Sequence, residues 1–573
     1  MFLAASPAFG QMQTWTWVGD GSANLLSTAG NWSGPGTITQ GSTTELVFGD
    51  SGSYSPTPYL SSGSFQIGSL TITSNGTGAI FAGNGTGSII EGQINGLNVA
   101  TSINFSPSGT SLTTTTNPIQ VTGPLYLNGA NVTIGGTAAG SSNTLELGRA
   151  SAGLGGGSSI ITSGGNPITK TGNFELEIGG DASGLGVINL NGGSVFLDPY
   201  ALNFQSNVIA AAGTTFGIHP GNGATYTYSG AVSGSGGFMA NSGGTVVLTG
   251  ANTYAGTTVV NNGTLRLGAD DTLPIGTTLQ LNNSAVLDVA ANQTIDHFAT
   301  SSATTTISIE SGMKFTVDTA GTTSSSYSGT IAGAGGLVVD GSTPAAYGAS
   351  GTELKLSGSN LFTGGTTVRG GELNLDNSSG SALGTGQVTV NGGVLAGSGS
   401  FSGPLLVTGG GTVAPMPAIT AGATTFGGGG TYYWLLGNTN GPAGSYWSLL
   451  TVNGTLTIDV SPTTPFNIDL VSFNIPESSL GLAANFDQTQ PYSFKILSAT
   501  SITGFSASDF SLNYTSFQNP YSGSWALLLN GNELDLNYTP LAVPEPSTGT
   551  LMAAGLAVLG LEAWRRRRPP GRL

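Results

Sequence analysis

Paired carboxylates are the first place to look for chemistry in this chain. Asp270 and Asp271 are adjacent, while Glu175 with Glu177, and Glu533 with Asp535, stand two apart, the spacing that puts both side chains on one face of a strand. Two carboxylates facing each other could hydrolyse a glycosidic bond, and a larger cluster of oxygens could hold Ca²⁺. Histidine offers little more: His219 precedes Pro220, His297 follows Asp296, and the two are far apart in sequence. With Cys absent, thiolate nucleophiles, disulfides, Cys-based zinc sites and iron–sulfur clusters are all excluded. Gly-x-Ser-x-Gly, His-Glu-x-x-His, the P-loop and the Gly-Gly-x-Gly-x-Asp calcium repeat are missing. Asp20-Gly-Ser-Ala-Asn24 opens like a cation loop but lacks the Glu that closes an EF-hand. Each acidic pair therefore reads as a solvated turn or outer face. No catalytic residue, metal ligand or cofactor is assigned.

The elements that would carry these residues follow from composition. Of 573 residues 95 are Gly, only 7 % are charged and 38 % are hydrophobic, with a mean hydropathy of +0.13. A helical protein would need far more Glu, Lys and Arg, and collagen would need Gly at every third position. The low charge density is the opposite of a charged disordered chain, so a core is expected. Five of the 12 basic residues lie in the last nine positions. Without the tail from Pro544 the chain has seven basic and 26 acidic residues, close to −19, which argues against binding nucleic acid through the body.

Strand signals recur throughout. Ser69–Thr73, Pro124–Asn128, Asn131–Ile134, Thr144–Leu147, Gly186–Leu190, Ser194–Leu197 and Gln387–Val390 alternate apolar residues with polar ones. They are bounded by Gly and Asn, the pattern of short strands with one buried face. Two stretches, Val246–Leu267 and Leu354–Leu375, align without a gap at an offset of 108. Gly250/Gly358, Asn252/Asn360, Gly256/Gly364, Thr258/Thr366, Val260/Val368, Gly263/Gly371, Leu265/Leu373 and Leu267/Leu375 coincide. Similar lead-ins precede them, Tyr228-Ser-Gly230 with Gly234–Gly237 and Tyr327-Ser-Gly329 with Gly333–Gly336. An internal repeat with turn residues at corners and Val, Leu and Ile stacked inward predicts an all-β solenoid.

The stretch from Leu248 resembles the autotransporter-associated β-strand repeat, and that from Leu356 resembles it somewhat less. The resemblance implies a right-handed parallel β-helix and an exported, surface-related setting, and it implies no enzyme activity. Trp15-Thr-Trp17 with Ala29–Trp32 reads as a hydrophobic cap on the first coil. Residues 416–540 hold 18 of the 46 aromatics and are expected to form a C-terminal β cap domain.

The ends carry targeting features. Ala8-Phe9-Gly10 before Gln11 has the small-x-small form of a secretory cleavage site, so residues 1–10 are read as the remnant of a longer signal peptide. At the other end Val543, Pro544, Glu545 and Pro546 precede an apolar run, Trp564 and the block Arg565, Arg566, Arg567 and Arg568. This order resembles the PEP-CTERM sorting signal of Gram-negative bacteria. The resemblance implies recognition and cleavage by an exosortase-type enzyme. The run is expected to be a terminal hydrophobic anchor helix spanning the inner membrane until processing, with the Arg block as a cytoplasmic stop. The predicted organisation is 1–10 signal remnant, 11–225 N-terminal solenoid, 226–415 solenoid with two repeats (about 226–320 and 327–415), 416–540 β domain and 541–573 sorting signal. The predicted function is a non-enzymatic structural or adhesive protein of the cell surface or extracellular matrix, with extracellular polysaccharide as partner. The alternatives are a carbohydrate-active β-helix enzyme (a polysaccharide lyase or hydrolase) and an adhesin to a foreign surface.

Overall fold

The computed structural model describes residues 160–542 apart from 242, 300–301, 322–323, 342–352 and 476–478. It also describes 548–567 and, before 160, residues 13–17, 32–35, 41–48, 65–72, 79–81, 97–105, 119–122, 125–127, 131–135 and 139–147. Residues 1–10 and Ala29–Asn31 lie outside the described residues.

The chain is a β-solenoid. Short strands pair in parallel with their counterparts one coil later, as in Thr245–Leu248 with Thr264–Leu267, that strand with Val286–Val289, and that in turn with Thr306–Ile309. Strands lie within or across all seven segments read from the alternation, Ser194–Leu197 at the same bounds. Their burial alternates as the sequence does: Val246, Leu248, Leu265, Leu267, Leu287 and Val289 point into one continuous core, while Val247, Arg266 and Asp288 between them face outward. Burial of this apolar ladder stabilises each rung by roughly 1.5–3 kcal/mol per large side chain.

Among the described residues the strands form five sheets. The lead-ins to the two repeats mark where one sheet hands over to the next. Thr225–Tyr228 opens the six-stranded sheet just before Val232–Gly234 closes the thirteen-stranded one. Ser325–Tyr327 opens the nine-stranded sheet just before Thr330–Gly333 closes the six-stranded one. Both closing strands end in a glycine at positive φ, Gly234 at 94° and Gly333 at 99°. A Cβ there would run into the carbonyl oxygen of Ala210 or Ile309 on the preceding rung, so only Gly fits the turn.

The stack does not stop at residue 416. The twelve-stranded sheet runs from Gln293–Ile295 through Val388–Val390 and Thr424–Gly427 into the longer strands Leu449–Asp459 and Tyr492–Thr503. It then turns antiparallel through Glu533–Thr539 and Ser524–Asn530. Phe486, Phe494, Phe517, Trp525 and Tyr538 pack against one another here with ring centroids 5.0–6.2 Å apart, which accounts for the aromatic enrichment of this tract.

The tail requires a correction. The run expected to span the membrane is helical from Thr548 to Arg566, but among the described residues no helix is long and apolar enough to cross a membrane. Its apolar part ends before Glu562. At 1.5 Å per residue that part reaches only about 20 Å, against roughly 30 Å of hydrocarbon.

The two repeats differ at one buried contact. In the first, the Tyr254 hydroxyl bonds to Thr258 Oγ1, which also bonds to Thr277 Oγ1 at 2.8 Å. In the second, Phe362 stands in place of Tyr254, Gly386 takes the rung position of Thr277, and Thr366 Oγ1 is buried without a hydrogen-bond partner. Thr366→Val replaces that hydroxyl by a methyl and is expected to stabilise the chain by about 1 kcal/mol. Thr258→Val, which breaks a satisfied network, is expected to cost about as much. Urea midpoints of the two variants check the opposite signs.

Candidate functional site

Most of the carboxylates flagged in sequence serve the fold. Asp270 and Asp271 sit at a corner, Asp271 at φ 47°, and accept the backbone N–H groups of Asn292 and Thr294 from the next rung. Glu533 pairs with Lys495 at 2.9 Å, and Asp535 accepts from Asn530. Basic residues are likewise matched to acids on neighbouring rungs: Arg266 bridges Asp288 and Glu310, Lys355 meets Asp376, and Arg369 meets Asp340. Such exposed pairs contribute about 0.5 kcal/mol each and mainly fix register.

The histidines do not meet. His219 follows Thr215–Ile218, and His297 begins a strand four steps away in the same sheet, about 19 Å at the usual strand spacing. His219 stacks on Phe196 with centroids 4.2 Å apart, and burial lowers its pKa to about 4, so it is neutral.

One group of carboxylates does converge. Glu146, Glu177 and Asp198 place carboxylate oxygens within 4.8 Å of one another. Glu146 is fully buried and Asp198 is 4 % exposed, and burial, with the Glu146 carboxylate beside it, pushes Asp198 up to about 8. Of the three, sequence reasoning singled out only Glu177, paired with Glu175, whose carboxylate instead meets Thr144 Oγ1 at 3.4 Å. Laying out Thr144–Leu147 and Ser194–Leu197 as neighbours of the strand carrying Glu177 would have found the other two.

A buried lysine was also missed. Lys170 is fully buried, and its Nζ donates to the carbonyls of Thr171, Gly172 and Gly192 at 2.9–3.0 Å. The ammonium lies 3.7 Å from the centroid of the Phe174 ring, and burial lowers its pKa to about 7.

Glu372 is half-buried opposite Glu353 on the previous rung. Burial first and Glu353 second push it up to about 7. A carboxyl whose folded pKa lies above its ordinary 4.5 holds its proton longer in the folded chain, so stability falls as pH rises from about 4.5 to 7. Glu372→Gln is expected to flatten that fall, as read from urea midpoints at pH 5 and 8.

The sorting residues are only partly visible. Val543, Pro544, Glu545, Pro546 and Arg568 lie outside the described residues, while Arg565 and Arg566 end the helix and Arg567 follows it, all exposed.

Comparison with known proteins matches this arrangement. The passenger-associated-transport repeat model matches residues 241–267 and 351–375, the two aligned stretches. The PEP-CTERM protein-sorting motif model matches 542–568. The chain is also similar to the adhesin BmaC autotransporter of Brucella suis biovar 1 (strain 1330), 30 % identical over 132 residues, which is 22 % of this chain and 4 % of that protein. The matched stretch thus spans a small part of its relative. Two passenger-associated-transport repeats within the solenoid and a PEP-CTERM motif at 542–568 mark this chain as an exported surface protein.

Proposed function

We propose that the protein is a non-enzymatic, adhesive scaffold of the cell surface or extracellular matrix, released from its tail by an exosortase-type enzyme and binding extracellular polysaccharide along the coil. The observation that carries this reading is the outward ladder. Thr367, Thr389, Thr425, Thr457 and Thr503 occupy one register line along the twelve-stranded sheet, joined by Leu406. Rungs about 4.8 Å apart present hydroxyls at a spacing suited to many weak contacts with a sugar polymer. The converging carboxylates do not favour catalysis on a polymer, because Glu146 is closed to solvent. Incubation with extracellular polysaccharides is expected to give retention without new reducing ends or unsaturated products. Turnover abolished by one carboxylate substitution would overturn the non-enzymatic reading.

The likeness to an adhesin favours a second reading, attachment to a foreign surface. Stronger binding to host-cell or matrix coatings than to the producing cell's own polysaccharide would select it. Processing has its own check: mass spectrometry of the mature protein is expected to place the C-terminus near Pro546. Mature protein that retains Arg572 would refute cleavage.

A further inference from the structure

The three converging carboxylates have no part in the adhesive role, and two of them, Glu146 and Asp198, are buried. Glu146, Glu177 and Asp198 belong to three successive rungs. Glu146 lies opposite Glu177 in the pairing of Ala139–Leu147 with Asn173–Ile178, and Ile178 lies opposite Leu197, the residue before Asp198. Because their oxygens are no more than 4.8 Å apart, one ion can lie within about 2.8 Å of all three, close to the roughly 2.3–2.6 Å of calcium–oxygen bonds.

Acidic residues often cluster by accident, but Asp198 adds an independent observation. Its side chain is 4 % exposed, and Oδ1 accepts the Tyr200 N–H at 2.7 Å. Its Oδ2 is buried without a hydrogen-bond partner, and the Glu146 carboxylate lies beside the same carboxyl group. A buried carboxylate oxygen set against a second carboxylate is unfavourable unless a proton or a cation stands between them.

We propose that Glu146, Glu177 and Asp198 bind a divalent cation of the Ca²⁺ type between rungs. The donors are all hard oxygens, with neither imidazole nor thiolate, which selects against zinc and copper. Calcium accepts carboxylates in irregular geometry, whereas magnesium demands a tight octahedron and retains several waters, for which the closed side at Glu146 leaves little room. Bound there, the ion ties three coils through side chains, in addition to their backbone ladders.

The test uses the full chain, stripped with a chelator and titrated with CaCl₂ by calorimetry, with thermal unfolding followed in parallel. One saturable site is expected with Kd of about 10⁻³ M or tighter, the range of extracellular calcium modules, and with a raised midpoint of unfolding. Glu177→Gln, at a half-buried position, and the near-isosteric Asp198→Asn are each expected to weaken binding at least about tenfold while leaving the far-ultraviolet circular dichroism unchanged. No saturable uptake up to about 10 mM CaCl₂, which would mean a shared proton only, overturns the proposal. So does an unchanged Kd in both variants. Equal affinity for MgCl₂ overturns the assignment to calcium.

Discussion

Lys170→Ala is expected to destabilise the N-terminal part of the solenoid by about 3–5 kcal/mol, through a cavity where the stem was and three carbonyls that lose their donor. The side chain is fully buried, reaches the oxygens of Thr171, Gly172 and Gly192, and lies against the face of Phe174. Because Gly192 is on the rung after Lys170, the ammonium fastens one corner to the next. Lys170→Met, which fills the volume but donates nothing, isolates the hydrogen-bonding share and is expected to cost less than Ala. The pH dependence has a definite sign. A lysine whose folded pKa is lowered from 10.5 to about 7 binds its proton more readily when unfolded, so stability rises with pH between those values. Both substitutions should remove that rise. In a solenoid each coil packs only on its neighbours, so loss of hydrogen-exchange protection should be confined to the rungs around 160–200 and spare 353–415. An alanine variant that loses less than about 1 kcal/mol would show that burying the charge cancels its contacts.

Asn252→Ala and Asn360→Ala are expected to cost about 2–4 kcal/mol each. Asn252 Oδ1 accepts the Val232 N–H at 2.7 Å from the preceding rung, and its Nδ2 donates to Gly250 O and to Thr272 O at 2.9 Å on the following rung. Asn360 repeats the arrangement with Ile331 N–H at 2.7 Å and Ala382 O at 2.6 Å. Both are nearly buried, 5 % and 2 % exposed, so truncation leaves backbone groups of two other rungs unpaired and out of reach of water. Asn→Asp keeps the acceptor but sets a carboxylate oxygen against the carbonyl on the next rung, and should be at least as damaging. Urea unfolding of the four variants measures these costs; a neutral Asp substitution would refute the bridging role.

The repeat was legible as a repeat because each coil reuses the same contacts. Gly at the corners and Leu265/Leu373 inward follow from local backbone and burial demands that sequence displays directly. The role of Asn252 did not, since corner asparagines that face solvent and buried ones that bridge rungs look alike until the coil is closed. Glu146 and Asp198 were hidden for another reason. Coils vary in length, with 31 residues between Thr144 and Glu175 but 22 between Arg266 and Asp288, so no fixed period reveals which side chains stack. The tail was read correctly as a helix, while the membrane span expected of it is not supported: the order of its parts suggested an anchor, and its apolar length falls short of one.

The staggered ends of the sheets have a mechanical consequence. The thirteen-stranded sheet closes at Val232–Gly234 inside the run of the ten-stranded sheet, and the ten-stranded sheet closes at His297–Phe298 inside the run of the six-stranded one. That one closes at Thr330–Gly333 inside the run of the twelve-stranded sheet. The seams overlap like lap joints, so tension along the stack of coils meets intact hydrogen-bonded sheet beside every seam, and a tear begun at one seam has no straight line to follow.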